Sequence, residues 1–272
     1  MLKDITLGQY FPGTSRIHRL DPRTKLIVLV AYIVALFMAK SWISYAVCLC
    51  FLGAAIGISQ IPLKSIVKGM KPLVVILVFT GILNLFFTEG ETVIFSIWKI
   101  TLTLEGVLRA IFMVSRILML ISATFLLTYT TSPISLTDGL EGLLKPLNVI
   151  HVPVHELSMM MCIALRFIPT LIEETDKIMC AQKARGADFE SGSLMQRVKA
   201  LVPILVPLFI SAFRRADELA TAMECRCYRG GDGRTKLHVL HYDAKDFMMM
   251  AVVVLFGAIL IGLNMLAIGY TM

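Results

Sequence analysis

Residues 107–130 read VLRAIFMVSRILMLISATFLLTYT, a run that is apolar almost throughout. A helix of about 20 apolar residues spans the hydrocarbon core of a bilayer. Further apolar runs lie at about 26–39, 42–58, 73–87 and 246–268. Together these runs predict an all-α integral membrane protein with about five transmembrane helices.

The composition agrees with a lipid environment. Of 272 residues, 57% are hydrophobic and 17% are charged, and the mean hydropathy is +0.78. The net charge of +7 comes from basic residues that flank the apolar runs, so we expect no nucleic-acid partner. Six cysteines lie in apolar or helical stretches and are predicted to be reduced thiols: Cys48, Cys50, Cys162, Cys180, Cys225 and Cys227.

Charge asymmetry sets the expected topology. Four basic residues precede the first apolar run: Arg16, Arg19, Arg23 and Lys25. By the positive-inside rule they place the N-terminus in the cytoplasm. Five spans then place the C-terminus outside. The acidic loop 88–105 is also expected outside.

Residues 132–242 differ from the rest of the chain. They carry 13 of the 26 lysines and arginines, yet they keep helical periodicity. We expect 1–131 and 243–272 to form the transmembrane domain and 132–242 a cytoplasmic coupling region. Its main elements are predicted to be two long crossed helices, from about 154 to 187 and from about 194 to 228, each roughly 50 Å long.

The ends of these two helices repeat one another. At an offset of 41 residues, Ala184-Arg185-Gly186 is equivalent to Cys225-Arg226-Cys227. Small neighbours leave a guanidinium free to bind carboxylates in a partner's groove through two parallel hydrogen bonds. Two equivalent ends suit a dimeric partner. The alternative is that each arginine simply caps a helix C-terminus.

Two other groups of residues remain open to more than one interpretation. Met159, Met160 and Met161 form a stripe that is usually core, although thioethers also suit surfaces that repack against several partners. Arg109 and Arg116 lie seven residues apart in the fourth apolar run. They have either a transport role or a structural one, in which Arg109 reaches the interface and Arg116 bonds a neighbouring helix.

Several activities lack the residues that they need. The sequence has no Gly-x-x-x-x-Gly-Lys-Ser/Thr phosphate loop, so ATP hydrolysis by that route is not expected. His151, His155 and Glu156 are not in the order of a helical zinc-protease motif. No acidic residue lies deep in a predicted span, which disfavours a proton-coupled carrier.

Several motifs resemble a known family, the transmembrane (T) component of energy-coupling factor transporters. They are Gly8-Gln9-Tyr10, HRLDPRTK at 18–25, LRFIP at 165–169, AQKARG at 181–186 and YRG at 228–230. The HRLDPRTK and AQKARG stretches together are specific, and the resemblance covers nearly the whole chain.

The resemblance implies a bacterial membrane complex with two ABC-type ATPases and a substrate-binding S component for vitamin or micronutrient uptake. This chain would be non-catalytic and hold no cofactor, with ATP and Mg²⁺ bound by the ATPases. Arg185 and Arg226 would dock into the ATPases, and Met159, Met160 and Met161 would be candidates for the S-component interface.

The second docking motif departs from the family pattern, in which Ala-Arg-Gly is commonest. Cys225 and Cys227 replace the flanking residues. They are still small, but a cysteine at 227 cannot relax the backbone as glycine would.

Other functions remain as alternatives. A dedicated cobalt or nickel T component would bind its metal on another subunit, so this sequence hardly separates it from the shared type. An integral membrane transferase would need acidic or polar residues converging at the membrane face. A purely structural scaffold would not account for the repeated helix ends.

Overall fold

The computed structural model describes residues 10–39, 41–87, 93–97, 100–187, 189, 194–231 and 239–266. Short 3₁₀ turns at Lys71–Leu73 and Lys145–Ile150 follow the third and sixth helices. The α-helices in chain order are α1 (Pro22–Met38), α2 (Trp42–Ser59), α3 (Leu63–Met70), α4 (Val74–Phe87), α5 (Leu104–Thr130), α6 (Pro133–Leu144), α7 (Val154–Ala184), α8 (Leu194–Cys225) and α9 (Ala244–Leu266).

One element was not expected from the sequence. Strands β1 (Val93–Ile97) and β2 (Ile100–Thr103) form an antiparallel hairpin within the loop at 88–105. The alternation VIFSI followed by ITLT is typical of strand pairs, in which β-branched residues pack well. The rest of the described chain is helical or irregular, which confirms the all-α membrane architecture.

Five helical stretches of the described chain are long and apolar enough to cross a membrane: α2, Leu63–Phe86 formed by α3 and α4, α5, α7, and Ala244–Met265 of α9. The expected number is confirmed, but the set differs. α1, whose apolar run was expected to span, has 17 residues, one fewer than α2, and is not among these five stretches. The sequence predicts α7 as part of the coupling region, yet α7 qualifies because its first half is apolar.

The chain folds as two compact units. In the described residues, one unit comprises 10–140 and 240–266, and the other comprises 141–231 with 239. The division at 131 and 243 proposed from the sequence concerns placement relative to the membrane and stays a prediction.

Four helices of the first unit share one apolar core. Leu36 of α1, Cys48 of α2, Met119 of α5 and Leu260 of α9 are all buried there. The rings of Tyr32 and Phe256 stack with their centroids 6.2 Å apart, which joins α1 to α9. This packing makes a bundle of α1, α2, α5 and α9.

A buried carboxylate joins the start of α1 to the start of α9. Asp246, only 2% exposed, accepts the backbone N–H of Asp21 through Oδ1 and that of Asp243 through Oδ2, both at 2.9 Å. The second bond is one half of a capping box, because Asp243 precedes α9 and Asp246 is its third residue. Asp21 is in turn the N-cap of α1, and Pro22 follows at the first helical position.

Lys25 of α1 joins the C-terminus of α5 to the starts of α1 and α9. Its Nζ donates to the carbonyls of His18 at 3.2 Å and Thr130 at 2.9 Å, and to Oγ1 of Thr131 at 3.3 Å. The three donors of the ammonium group are therefore matched by three acceptors, and the two from Thr130 and Thr131 lie at the C-terminus of α5, where a cation is favoured. We call Asp21, Lys25, Thr130, Thr131 and Asp246 the polar junction.

The segment before α1 is held by a neutral histidine. Nε2 of His18 donates to the carbonyl of Phe11 at 3.0 Å, so Nδ1 accepts from the hydroxyl of Ser15 at 2.6 Å. Burial lowers the pKa of His18 below its usual range, and the nearby charge of Lys25 acts in the same direction against the opposing Phe11 carbonyl. The HRLDPRTK motif thus has a structural role. Gly8 and Gln9 lie outside the described residues.

Candidate functional site

The C-terminus of α7 is a Schellman motif. The N–H of Gly186 donates to the carbonyl of Lys183 and the N–H of Ala187 donates to that of Gln182, both at 3.0 Å. Gly186 has φ +85°, the left-handed conformation that this motif requires and that glycine adopts without strain. Arg185 is the residue at which the helix ends.

The C-terminus of α8 repeats this motif with every donor and acceptor 41 residues further on. The N–H of Cys227 donates to the carbonyl of Glu224 at 2.8 Å, and the N–H of Tyr228 donates to that of Met223 at 3.0 Å. Cys227 has φ +56°, so it occupies the left-handed position of Gly186. The local geometry that the sequence left in doubt is therefore kept, at a backbone cost of about 1–2 kcal/mol for a residue with a Cβ.

Both motifs project an exposed arginine. Arg185 and Arg226 are exposed, as are the residues that flank them: Ala184, Gly186, Cys225 and Cys227. Within the described residues, neither guanidinium makes a hydrogen bond or an ion pair. The last carbonyls of each helix are bonded by the Schellman N–H groups instead, so the arginines are not needed as caps.

The two helices pack antiparallel. Gly231, after α8, lies against the ring of His155 near the start of α7, so closely that a Cβ at 231 would come within 2.7 Å. In the middle, Nη2 of Arg215 donates to Oε2 of Glu174 at 2.9 Å, and towards the end of α7 Nε2 of Gln182 donates to the carbonyl of Pro203 at 3.4 Å. As the α7 numbers rise, the α8 numbers fall.

Antiparallel packing places the two arginines at opposite ends of the pair. In this register Arg185 lies beside about residue 200, so roughly 26 residues of α8, or roughly 39 Å, separate it from Arg226 along the axis. Glu174 and Arg215, themselves 41 residues apart, meet near the middle. A contact between equivalent residues lies close to a pseudo-two-fold axis, so the pair presents two related helix ends about that axis.

Comparison with known proteins identifies the family. The family model of the CbiQ cobalt transport proteins matches residues 13–238. The energy-coupling factor transporter transmembrane protein EcfT of Thermosediminibacter oceani is 56% identical over 245 residues, which cover 90% of this chain and 92% of the relative. This chain belongs to the energy-coupling factor transmembrane protein family.

Similarity extends to other family members. The EcfT protein of Clostridium kluyveri is 56% identical over 249 residues, covering 91% of this chain and 92% of the relative. The EcfT protein of Bacillus subtilis is 47% identical over 260 residues, covering 96% of this chain and 98% of the relative. The chain is therefore a multi-pass membrane component of an energy-coupling factor transporter.

The methionine stripe of this transporter component is only partly exposed. Met160 is 54% exposed, whereas Met159 and Met161 are half-buried. A larger apolar face on α8 was missed from the sequence, although its spacing of three and four residues was visible there. Its exposed members are Val198, Val202, Leu205, Val206, Phe209 and Phe213.

The two arginines of α5 differ in environment. Nε of Arg116 donates to the hydroxyl of Tyr45 at 2.7 Å, and its guanidinium lies over the ring of Phe37 at 5.5 Å. Arg116 thus bonds neighbouring helices, which is the structural alternative offered by the sequence. Arg109 is exposed. Within the described residues, no group of three or more His, Cys, Asp or Glu side chains is placed to bind a metal ion.

Proposed function

We propose that this chain is the non-catalytic coupling subunit of its transporter and links two ABC-type ATPases to a substrate-binding S component. The observation that carries the proposal is the pair of matching helix ends, each with an exposed arginine that has no partner in the described chain. ATP and Mg²⁺ would be bound by the ATPases, and this chain would hold no cofactor.

The geometry of the helix pair supports two docking sites of one kind. Equivalent ends about a pseudo-two-fold axis fit a partner built from two like ATPase subunits. Each planar guanidinium would enter a groove and bind carboxylates through two parallel charge-assisted bonds. Since α7 and α8 are long and in contact, movement of one end relative to the other would be transmitted along them.

The S component would bind apolar surface on the same pair of helices. Met160 and the α8 face defined above offer exposed thioether, branched and aromatic side chains. Such surfaces repack against different partners at low cost. We therefore extend the proposed S-component interface from Met159, Met160 and Met161 to α8.

We expect the purified chain to hydrolyse no ATP, because the sequence lacks a phosphate loop. Activity should appear on reconstitution with the two ATPases. Phosphate release is measured for the chain alone and for the reconstituted complex. A complex whose ATPases are inactivated in their own phosphate loops is the control for contaminating ATPase activity. Nucleotide turnover by the chain alone would contradict a non-catalytic role.

The proposed orientation is a cytoplasmic N-terminus and an extracellular C-terminus in the bacterial cell membrane. This orientation counts α1, and not α7, among the five spans. In a cysteine-free background, single cysteines introduced at Thr92 and Met272, both outside the described residues, should react with an impermeant reagent on intact cells. A chain that retains only Cys180, which is exposed on α7, should react only after lysis if α7 is cytoplasmic. The reverse pattern would contradict this orientation.

A dedicated cobalt or nickel transporter remains the second candidate, favoured by the description of the matching family as cobalt transport proteins. The cargo would then be a metal ion bound by another subunit. Purification of the complex from native membranes and identification of its subunits by mass spectrometry separates the two. One chain found with several different S components supports the shared vitamin type.

A further inference from the structure

The two docking ends share a backbone but differ in one chemical respect. The α8 end carries thiols on both sides of Arg226, from Cys225 and Cys227, and both are exposed. The equivalent positions at the α7 end are Ala184 and Gly186, so that end has no thiol beside its arginine.

The backbone conformation at Cys227 favours glycine and does not require a side chain at this position. Its φ of +56° is left-handed, a conformation that favours glycine, and the equivalent Gly186 has φ +85°. A Cβ at Gly186 would meet no atom within 4 Å, so the turn does not need a side chain for packing. A side chain at a position whose conformation favours glycine points to a role for that side chain.

We propose that Cys225 and Cys227 form a thiol-modification site that switches off docking at the α8 end. The co-reactant is a low-molecular-weight disulfide. The sulfur of one cysteine attacks a sulfur of that disulfide. A Cys–S–S–R bond forms, the original S–S bond breaks, and the released thiol takes the proton given up by the cysteine. The cysteine sulfur is oxidised and the leaving sulfur is reduced.

This inference rests on the proposed docking function. A glutathione-type adduct places two carboxylates and a tripeptide one residue away from Arg226. The carboxylates compete with the partner's groove for the guanidinium, and the tripeptide occupies the space that the groove must enter. Docking would in turn cover the thiols, so modification and ATPase binding exclude one another, and Arg185 at the other end is left unaffected.

The test uses the full-length chain in detergent, reduced or treated with glutathione disulfide and then desalted, before its two ATPases are added. Mass spectrometry locates the adduct, and titration gives the apparent affinity for the ATPases. We expect the adduct at 225 or 227 and a loss of apparent affinity of up to about ten-fold, because docking at the α7 end hides part of the loss of one charge-assisted contact, with recovery in dithiothreitol.

Two variants make the test specific, each compared with itself before and after treatment. The double variant Cys225→Ala/Cys227→Gly gives the α8 end the Ala-Arg-Gly sequence of the α7 end. Treatment with glutathione disulfide should leave its affinity for the ATPases unchanged. Cys180→Ala, which removes an exposed thiol of α7, should stay as sensitive as the unmodified sequence. The inference is overturned if no adduct forms at 225 or 227, if the adduct leaves affinity unchanged, or if the double variant responds like the original chain. A reduced chain that binds no ATPase overturns the proposed function itself.

Discussion

Replacing both Arg185 and Arg226 with alanine should abolish stable binding of the ATPases while leaving insertion and folding intact. Both side chains are exposed and neither has a partner in the described chain, so their removal costs the fold little. Each would lose a charge-assisted contact worth about 1.5–3 kcal/mol. One such loss weakens a docking equilibrium roughly 10- to 150-fold.

Single variants should be milder than the double variant. When one end is docked, the other meets its site at a high effective concentration, which hides part of a single loss. Arg→Lys should rescue only in part, because lysine lacks the planar fork. These results are measured as the amount of ATPase that co-purifies with the chain and as substrate uptake by cells.

Arg214→Ala is the matched control, since Arg214 is an exposed arginine of the same helix, three turns before Arg226. It should leave ATPase binding nearly unchanged. If the double variant still co-purifies with both ATPases and supports normal uptake, the arginines are not docking residues and the proposed coupling role is wrong.

Asp246→Ala should strongly destabilise the unit formed by 10–140 and 240–266. The backbone N–H groups of Asp21 and Asp243 would both lose their acceptor: Asp21 is buried at the start of α1, and Asp243 is exposed just before α9. A buried donor left without a partner costs about 1–3 kcal/mol. Together with the capping bond lost at Asp243, this single change should remove an appreciable fraction of the stability of a typical domain.

The effect should be read from the thermal unfolding temperature of the solubilised protein and from its yield in the membrane. Asp246→Asn keeps one oxygen acceptor and should fall between the wild type and Asp246→Ala. Lys245→Ala is the control in the same helical turn, because its ion pair with Asp243 is solvent-exposed and contributes little. Equal stability of Asp246→Ala and Lys245→Ala would show that the polar junction does not hold the helices together.

Much of the candidate site follows from the sequence because it is local. A Schellman motif is closed by hydrogen bonds between residues three and five apart, so a stretch of six residues determines it. The offset of 41 between Arg185 and Arg226 was therefore visible before any fold was known. The sequence did not reveal that Cys227 adopts the left-handed conformation, since side-chain type alone favours glycine there.

Other features could not be predicted from local sequence patterns, because they depend on contacts between residues that are far apart in the chain. The role of Asp246 depends on Asp21, 225 residues away along the chain. The bond from Arg116 to Tyr45, 71 residues away along the chain, supports the structural interpretation, which hydropathy alone could not select. The set of candidate spans also changed, because helix length depends on where α1 and α7 begin and end, and hydropathy alone marks only their apolar parts.

By itself, the sequence determined the membrane class, the long helices and their matching ends, since hydropathy, periodicity and terminal motifs are properties of neighbouring residues. Only the tertiary structure decided how those ends are arranged. The contacts of Glu174 with Arg215 and of Gln182 with Pro203 set an antiparallel register. That register separates the two arginines by roughly 39 Å. Separation in space depends on which helix faces meet, and that is fixed by long-range packing.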